Sequence, residues 1–331
     1  MSDALVILPK GRKSVGSATE SLIIPEAIAA AGPEAVNRLI EFFTAHIRNR
    51  NTREAYGRAC SQFFDWMAEN GLADCRLFQP VHVAGWVEAM LRENYEIPTV
   101  KQRLAAVRML FDWLVTGGII RTNPAASVRG PRYSVNRGKT PILDGSEAGQ
   151  LLKSIPTSNL AGLRDRALIA LMTYSFARIS AAVGMQVSDI FVERKRLWVR
   201  LKEKGGKRHE MPCHHQLEEY LCDYLEHSGL KNKPNSPLFP SLSRAQKLTD
   251  RSLHRIEAWA MVKRRAKAAG IKTEVVNHTF RGTGITAYLE NGGLLERAKQ
   301  MANHASTKTT QLYDRRNDKT TLDDVERIRL G

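Results

Sequence analysis

The sequence predicts a mainly α-helical protein with a small β-sheet: an N-terminal helical bundle followed by an α+β domain. Three observations predict it. Apolar residues recur at helical spacing through most of the 331-residue chain. The segment RLWVRLKEKGGKRHEMP alternates like a hairpin on either side of Gly205-Gly206. The length suits two cores better than one, and a stretch rich in Pro, Gly and basic residues divides the chain near its middle.

Residues 1–32 read as an N-terminal arm. Their apolar stretch is short and is followed by basic residues, unlike a signal peptide. The bundle is expected over 33–128. Pro33 suits a first helical turn, with Val36, Leu39, Ile40 and Phe43 at helical spacing behind it. Thr52 opens a second helix, whose stripe is Ala55, Tyr56, Ala59, Phe63, Trp66 and Met67. Asn70-Gly71 stops it. A third helix is expected over 81–93. A fourth starts near Pro98-Thr99 and carries Val100, Leu104, Val107, Leu110, Phe111 and Leu114 to Gly117-Gly118. The stretch NPAASVRGPRYSVNRGK has no apolar period, and its basic part, 129–139, reads as a linker.

The second domain is expected over 140–316. Asp144 or Ser146 caps a helix through Leu152. A long helical pattern follows, with Leu163, Ala167, Leu168, Leu171 and Met172 on one face and Arg178 at its end. An arginine among Phe176, Ala177 and Ile179 is either a buried ion-pair partner or a rigidly held anion ligand. In the hairpin, Leu197, Val199 and Leu201 face one way, and Trp198, Arg200, Lys202 and Lys204 the other. Helices are expected near 216–227 and 251–269, with a loop at 232–243 between them. A helix from Asn277 or His278 to Asn291 places His278 and Arg281 on one face. A short helix through Leu295, Ala298 and Met301 ends at His304. Ser306 or Thr307 opens another before Tyr313.

Lys and Arg number 50 against 34 Asp and Glu, a formal net charge of +16. Such an excess points to a polyanion, nucleic acid before membrane. No apolar run approaches the roughly 18 residues of a spanning helix, so a cytoplasmic, nucleoid-associated protein is expected. Arg48, Arg50, Arg53, Arg58, Lys101, Arg103 and Arg108 make the bundle's polar face basic, which favours phosphate contact over a merely solvated face. Lys202 and Lys207 extend the same character into the hairpin. None of the four cysteines forms a CxxC pair, and Cys213-His214-His215 with Cys222 is a poor metal cage because adjacent strand residues point apart.

Arg178, Lys204, His278, Arg281, His304 and Tyr313 together suit a phosphodiester without a metal or cofactor. Two guanidiniums clamp non-bridging oxygens, and two imidazoles donate or move a proton. The tyrosine attacks phosphorus and the lysine protonates the leaving oxygen. Each donor aimed at developing charge contributes on the order of 3 kcal/mol, not additively. No carboxylate cluster has the spacing of a two-metal nuclease.

This set resembles the tyrosine recombinase (phage integrase) family. FARIS around Arg178, KGGKRHEMP around Lys204, HTFRGTGIT around His278 and Arg281, and ANHASTKTTQLYDR around His304 and Tyr313 carry the resemblance. It is close over 163–316 and looser over the bundle, which would be the family's core-binding domain. The resemblance implies a tyrosine-recombinase catalytic domain that closes with the bundle as a C-shaped clamp on double-stranded DNA at inverted-repeat sites. It implies a 3′-phosphotyrosyl intermediate on Tyr313, no ATP, and four protomers acting on two sites. The tail, 317–331, with Leu322, Val325 and Ile328 in a stripe, would dock on a neighbour or pack on its own domain. In the family an acid commonly stands three residues after the first arginine; here that position is Ala181. Asp165 or Asp189 are the acids that could substitute. The rival readings are a type IB topoisomerase-like enzyme and an inactive DNA-binding architectural protein.

Overall fold

The computed structural model describes residues 6–8, 21–135, 138–203, 206, 208–315, 325–326 and 328. The chain divides into two compact units, Met1–Ser134 and Val135–Gly331.

In the first unit a short parallel pair, β1 (Val6–Leu8) and β2 (Ser21–Ile23), precedes the helices α1 (Glu26–Ala29), α2 (Pro33–Glu41), α3 (Arg50–Glu69), α4 (Pro80–Arg92) and α5 (Ile97–Thr116). The expected arm therefore ends inside the core, since Ala27 and Ile28 of α1 are buried there. Pro33 stands at the first turn of α2, and Phe42–His46 continues it as a π-helix. The cap of α3 is Asn49 rather than Thr52: the Asn49 side chain accepts from the Thr52 amide at 3.1 Å. Phe63 centres the bundle core. Its ring meets those of Trp86, Phe111 and Phe78 edge-on, at 5.0, 5.7 and 5.8 Å.

The stretch after α5 is less of a linker than its composition suggests. Arg108 donates to the carbonyls of Ala125 (3.1 Å) and Val128 (2.7 Å), and both residues are buried in the bundle core. Two neutral acceptors fix the guanidinium, and the segment is held to α5.

In the second unit Asp144 caps α6 (Gly145–Ser154) with a capping box to Glu147. Helix α7 (Leu160–Tyr174) is buried on nearly every side from Gly162 to Met172, which explains its apolar surplus. The long pattern then breaks. Phe176 adopts φ 53°, the left-handed region that non-glycine residues rarely enter, so α8 (Ile179–Val183) starts afresh with Arg178 at its N-cap.

A three-stranded antiparallel sheet runs in the order β3 (Ile190–Glu193), β4 (Arg196–Lys202), β5 (Arg208–Pro212). Its β4 side chains alternate as expected, with Leu197, Val199 and Leu201 buried. Then come α9 (His215–Ser228), a small hairpin β6 (Pro240–Leu242) with β7 (Leu248–Ser252), and α10 (Arg255–Ala268). The small hairpin occupies part of the expected loop, and the first residues of the expected helix at 251–269 belong to β7. The unit ends with α11 (Asn277–Glu290), α12 (Leu295–Met301) and α13 (Thr307–Gln311). Helix α11 packs tightly on the end of α7. A Cβ on Gly284 would sit 2.0 Å from the Thr173 carbonyl oxygen, so only glycine fits there.

Candidate active site

Among the described residues Arg281 is the largest fully buried side chain, 0% exposed in the middle of α11. Its guanidinium donates to the carbonyls of Phe176 and Ala302. The left-handed turn at Phe176 thus supplies one acceptor and the end of α12 the other. Its Nε has no partner among the described residues. A buried donor left unpaired is costly unless a ligand meets it.

Arg178 pairs with Glu203, which is buried at the end of β4. The arginine side chain keeps 32% of its surface exposed, so it faces outward from a buried anchor.

His304 is delivered by a Schellman turn. Asn303, at φ 48°, sits in the left-handed region that asparagine tolerates. The His304 amide reaches the Lys299 carbonyl at 3.1 Å and the Asn303 amide reaches Gln300 at 2.9 Å. The His304 Nδ1 lies 2.9 Å from the hydroxyl of fully buried Thr310. That contact fixes the ring.

Tyr313 follows α13 and is 6% exposed. Its hydroxyl lies 2.9 Å from His278 Nε2. The His304 ring runs nearly parallel to the tyrosine ring, at 6.2 Å and 13°. The tyrosine's carbonyl accepts from the Thr286 hydroxyl at 2.9 Å. Gly138 donates its amide to the Leu312 carbonyl at 3.0 Å, and a Cβ there would come within 2.9 Å of the same oxygen. Backbone and ring of the tyrosine are therefore both held.

The field of this cluster is cationic. Burial, then the charges of Arg281, Arg178 and His278, lower the His304 pKa to about 3. Partial desolvation, then Arg281 and Arg178, lower that of His278. Burial and Arg178 lower Arg281 to about 10, while Glu203 and Tyr313 act in its favour. Burial raises the Tyr313 hydroxyl, and Arg281, a hydrogen bond from Thr140 and Arg178 pull it back. Both imidazoles are thus neutral at pH 7, beside two guanidiniums. Glu203 offsets part of this positive charge, and an arriving phosphate would offset the rest.

Of the six expected site residues, the structure brings Arg178, His278, Arg281, His304 and Tyr313 together; Lys204 lies outside the described residues, as does Lys207. Glu203 and Thr310 were not anticipated. Glu203 was legible: Leu197, Val199 and Leu201 set a period of two that carries residue 203 to the same inner face. The acids expected to substitute for one at position 181 are engaged elsewhere. Asp165 binds Arg164 (2.7 Å), Arg265 (2.8 Å) and Arg264 (3.7 Å). Asp189 accepts from the Gln186 amide at 2.9 Å and pairs with Lys202 at 3.8 Å. Among the bundle cations, Arg58 and Lys101 are exposed. Arg53 donates to the Ile47 carbonyl at 3.0 Å, and Arg103 lies over the Tyr95 ring at 4.1 Å.

Among the described residues no helix is long and apolar enough to cross a membrane.

Comparison with known proteins places this geometry. The chain is 29% identical over 273 residues to tyrosine recombinase XerD of Corynebacterium glutamicum, covering 80% of this chain and 86% of the relative. It is 27% identical over 294 residues to tyrosine recombinase XerC of Xanthomonas campestris pv. campestris, covering 87% of each. Its fold matches XerH site-specific recombinase bound to palindromic difH substrate in a post-cleavage complex. That match has a TM-score of 0.69 at 16% identity, over 92% of this chain and 96% of the other. It likewise matches a lambda integrase (75–356) dimer bound to a COC′ core site, with a TM-score of 0.65 at 17% identity, over 87% and 97%. The pattern of a phage integrase N-terminal SAM-like domain covers residues 40–118. That of the phage integrase family covers residues 141–320, the stretch that holds all six residues expected of the site, and the chain belongs to that family.

Proposed function

We propose that this protein is a site-specific DNA recombinase that cuts and rejoins strands through a 3′-phosphotyrosyl link on Tyr313. The observation that carries the reading is the tyrosine hydroxyl 2.9 Å from His278 Nε2, in the field of Arg178 and Arg281. Tyr313 Oη attacks phosphorus and passes its proton toward His278. The new O–P bond replaces the bond to the 5′ oxygen. That oxygen leaves as a hydroxyl with a proton from Lys204. The two guanidiniums and His304 Nε2 hold the non-bridging oxygens as charge grows on them. Each step exchanges one phosphoester for another, so a 5′-hydroxyl from a second strand reverses the reaction without ATP. Strand exchange requires two sites, which fits a tetramer on paired inverted repeats.

The helical bundle over 33–128 acts as the core-binding domain: exposed Arg58 and Lys101 meet DNA from its basic face, while Arg53, Arg103 and Arg108 are engaged within the bundle and add to its positive field. In the catalytic domain over 140–316, Lys202 and Lys207 add to the DNA contact from the hairpin. The basic segment 129–139 connects the two. Val325 and Ile328, both exposed, belong to a tail that docks on a neighbouring protomer. Family membership and the tyrosine recombinase relatives favour this reading over a topoisomerase-like or inactive architectural protein.

The deciding experiment uses a nicked duplex carrying the site the protein protects from nuclease. Wild type is expected to accumulate a covalent adduct and Tyr313→Phe none. An adduct that survives the substitution excludes Tyr313 as nucleophile.

A further inference from the structure

Three carboxylates are buried among the described residues: Asp165, Asp189 and Glu203. The first two are engaged outside the active site, as described above. Glu203 alone of the three meets Arg178, and the contact is direct. It sits where β4 gives way to the hairpin turn, and its own carbonyl accepts the Gly206 amide at 3.2 Å. Its charge also favours the protonated forms of Arg281 and His209. Across the pair, Ala181 lies one helical turn after Arg178 and is itself buried, with only a methyl to offer.

We infer that Glu203 is the positioning residue of this active site: it orients Arg178 toward the phosphate and ties the end of β4 to the same arginine. This rests on the recombinase reading above. The physical case is electrostatic and geometric together. Two guanidiniums converge here, and without a counter-charge they repel one another before any DNA arrives. A carboxylate on Arg178 relieves that repulsion and fixes the fork of the guanidinium. Helix α8 provides no acid at position 181, so the acid comes from the sheet instead.

The test measures adduct formation on the nicked duplex together with DNA affinity and melting temperature. Glu203→Gln keeps the shape and removes the charge. A misplacement of about 1 Å costs on the order of 10²-fold in rate. Glu203→Gln is therefore expected to slow adduct formation by roughly 10-fold to 100-fold, with site affinity within about threefold of wild type. Glu203→Asp is expected to recover part of the loss. Ala181→Glu in the Glu203→Gln background is expected to recover about tenfold, because the acid returns to Arg178 from the other side. Cleavage by Glu203→Gln within twofold of wild type overturns the inference. So does a cleavage loss no larger than the loss of binding, or a folded double variant that cleaves no faster than Glu203→Gln. Failure of wild type itself to form the adduct would strike the recombinase reading instead, so the two failures are distinguishable.

Discussion

His278 Nε2 stands 2.9 Å from the Tyr313 hydroxyl while the His278 imidazole is held neutral by desolvation and by Arg281 and Arg178. A neutral imidazole at that distance accepts a proton; a protonated one does not. Adduct formation is therefore expected to fall as pH drops below the usual histidine range, because a shrinking fraction of molecules then holds His278 neutral. The fall should begin below about pH 6.5, the unperturbed value. His278→Asn should remove that acid limb and lower the plateau by about 10²-fold. A rate-against-pH profile with the limb unchanged in the variant would assign it to another group.

His304 makes a separate prediction about stability. Its folded pKa is about 3, against about 6.5 in the unfolded chain. Between those values the unfolded chain binds more protons, so stability rises with pH through that window and is lost as pH falls from about 6.5 toward 3. Melting temperature measured from pH 7 to pH 5 should decline, and His304→Asn should flatten the decline. An identical slope in the variant would exclude His304 as its source.

Arg281 and Arg178 should separate fold from chemistry. Arg281→Ala leaves two buried carbonyls, of Phe176 and Ala302, unpaired and opens a cavity. We expect a loss of about 3–5 kcal/mol in urea unfolding, with cleavage abolished. Arg178→Ala removes a third-exposed side chain but strands the buried Glu203 carboxylate, so it should abolish cleavage with DNA binding largely retained and a stability loss smaller than that of Arg281→Ala, recovered in part by adding Glu203→Gln. Equal destabilisation by the two would contradict the burial difference.

The bundle cations divide in the same manner. Arg58 and Lys101 are exposed, and their alanine variants should weaken DNA binding uniformly across sequences. Each should reduce the log–log salt slope by about one. Arg108→Ala should act mainly on stability, by about 1–3 kcal/mol, because it frees the Ala125 and Val128 carbonyls. A titration of DNA affinity against salt for the three variants checks this.

Much of the site was readable in the sequence because its parts are local. HTFRGTGIT puts two functional side chains one helical turn apart, and ANHASTKTTQLYDR contains a Schellman turn, a cap and the tyrosine in succession. Less legible were features that depend on tertiary packing. Phe176 breaks a pattern that reads as one continuous helix, because its carbonyl is needed by an arginine 105 positions away. Asn49, not Thr52, caps α3, since both are good caps and only the entry angle of the chain decides. The strands β3 and β6 are too short for alternation to register. Glu203 was missed because its neighbour Lys204 is the residue of evident chemical interest. The alternation of β4 nevertheless placed it on the inner side.

The two carbonyls that hold Arg281 come from the break after α7 and from the end of α12, and the tyrosine segment is pinned by Thr286 and Gly138. No local piece of the chain therefore assembles the cutting centre by itself. A nascent or partly unfolded copy, still basic enough to bind DNA, would leave Tyr313 and His278 unaligned. Competence to break a strand is in this way made conditional on complete folding, a safeguard that resides in backbone oxygens rather than in any inhibitory partner.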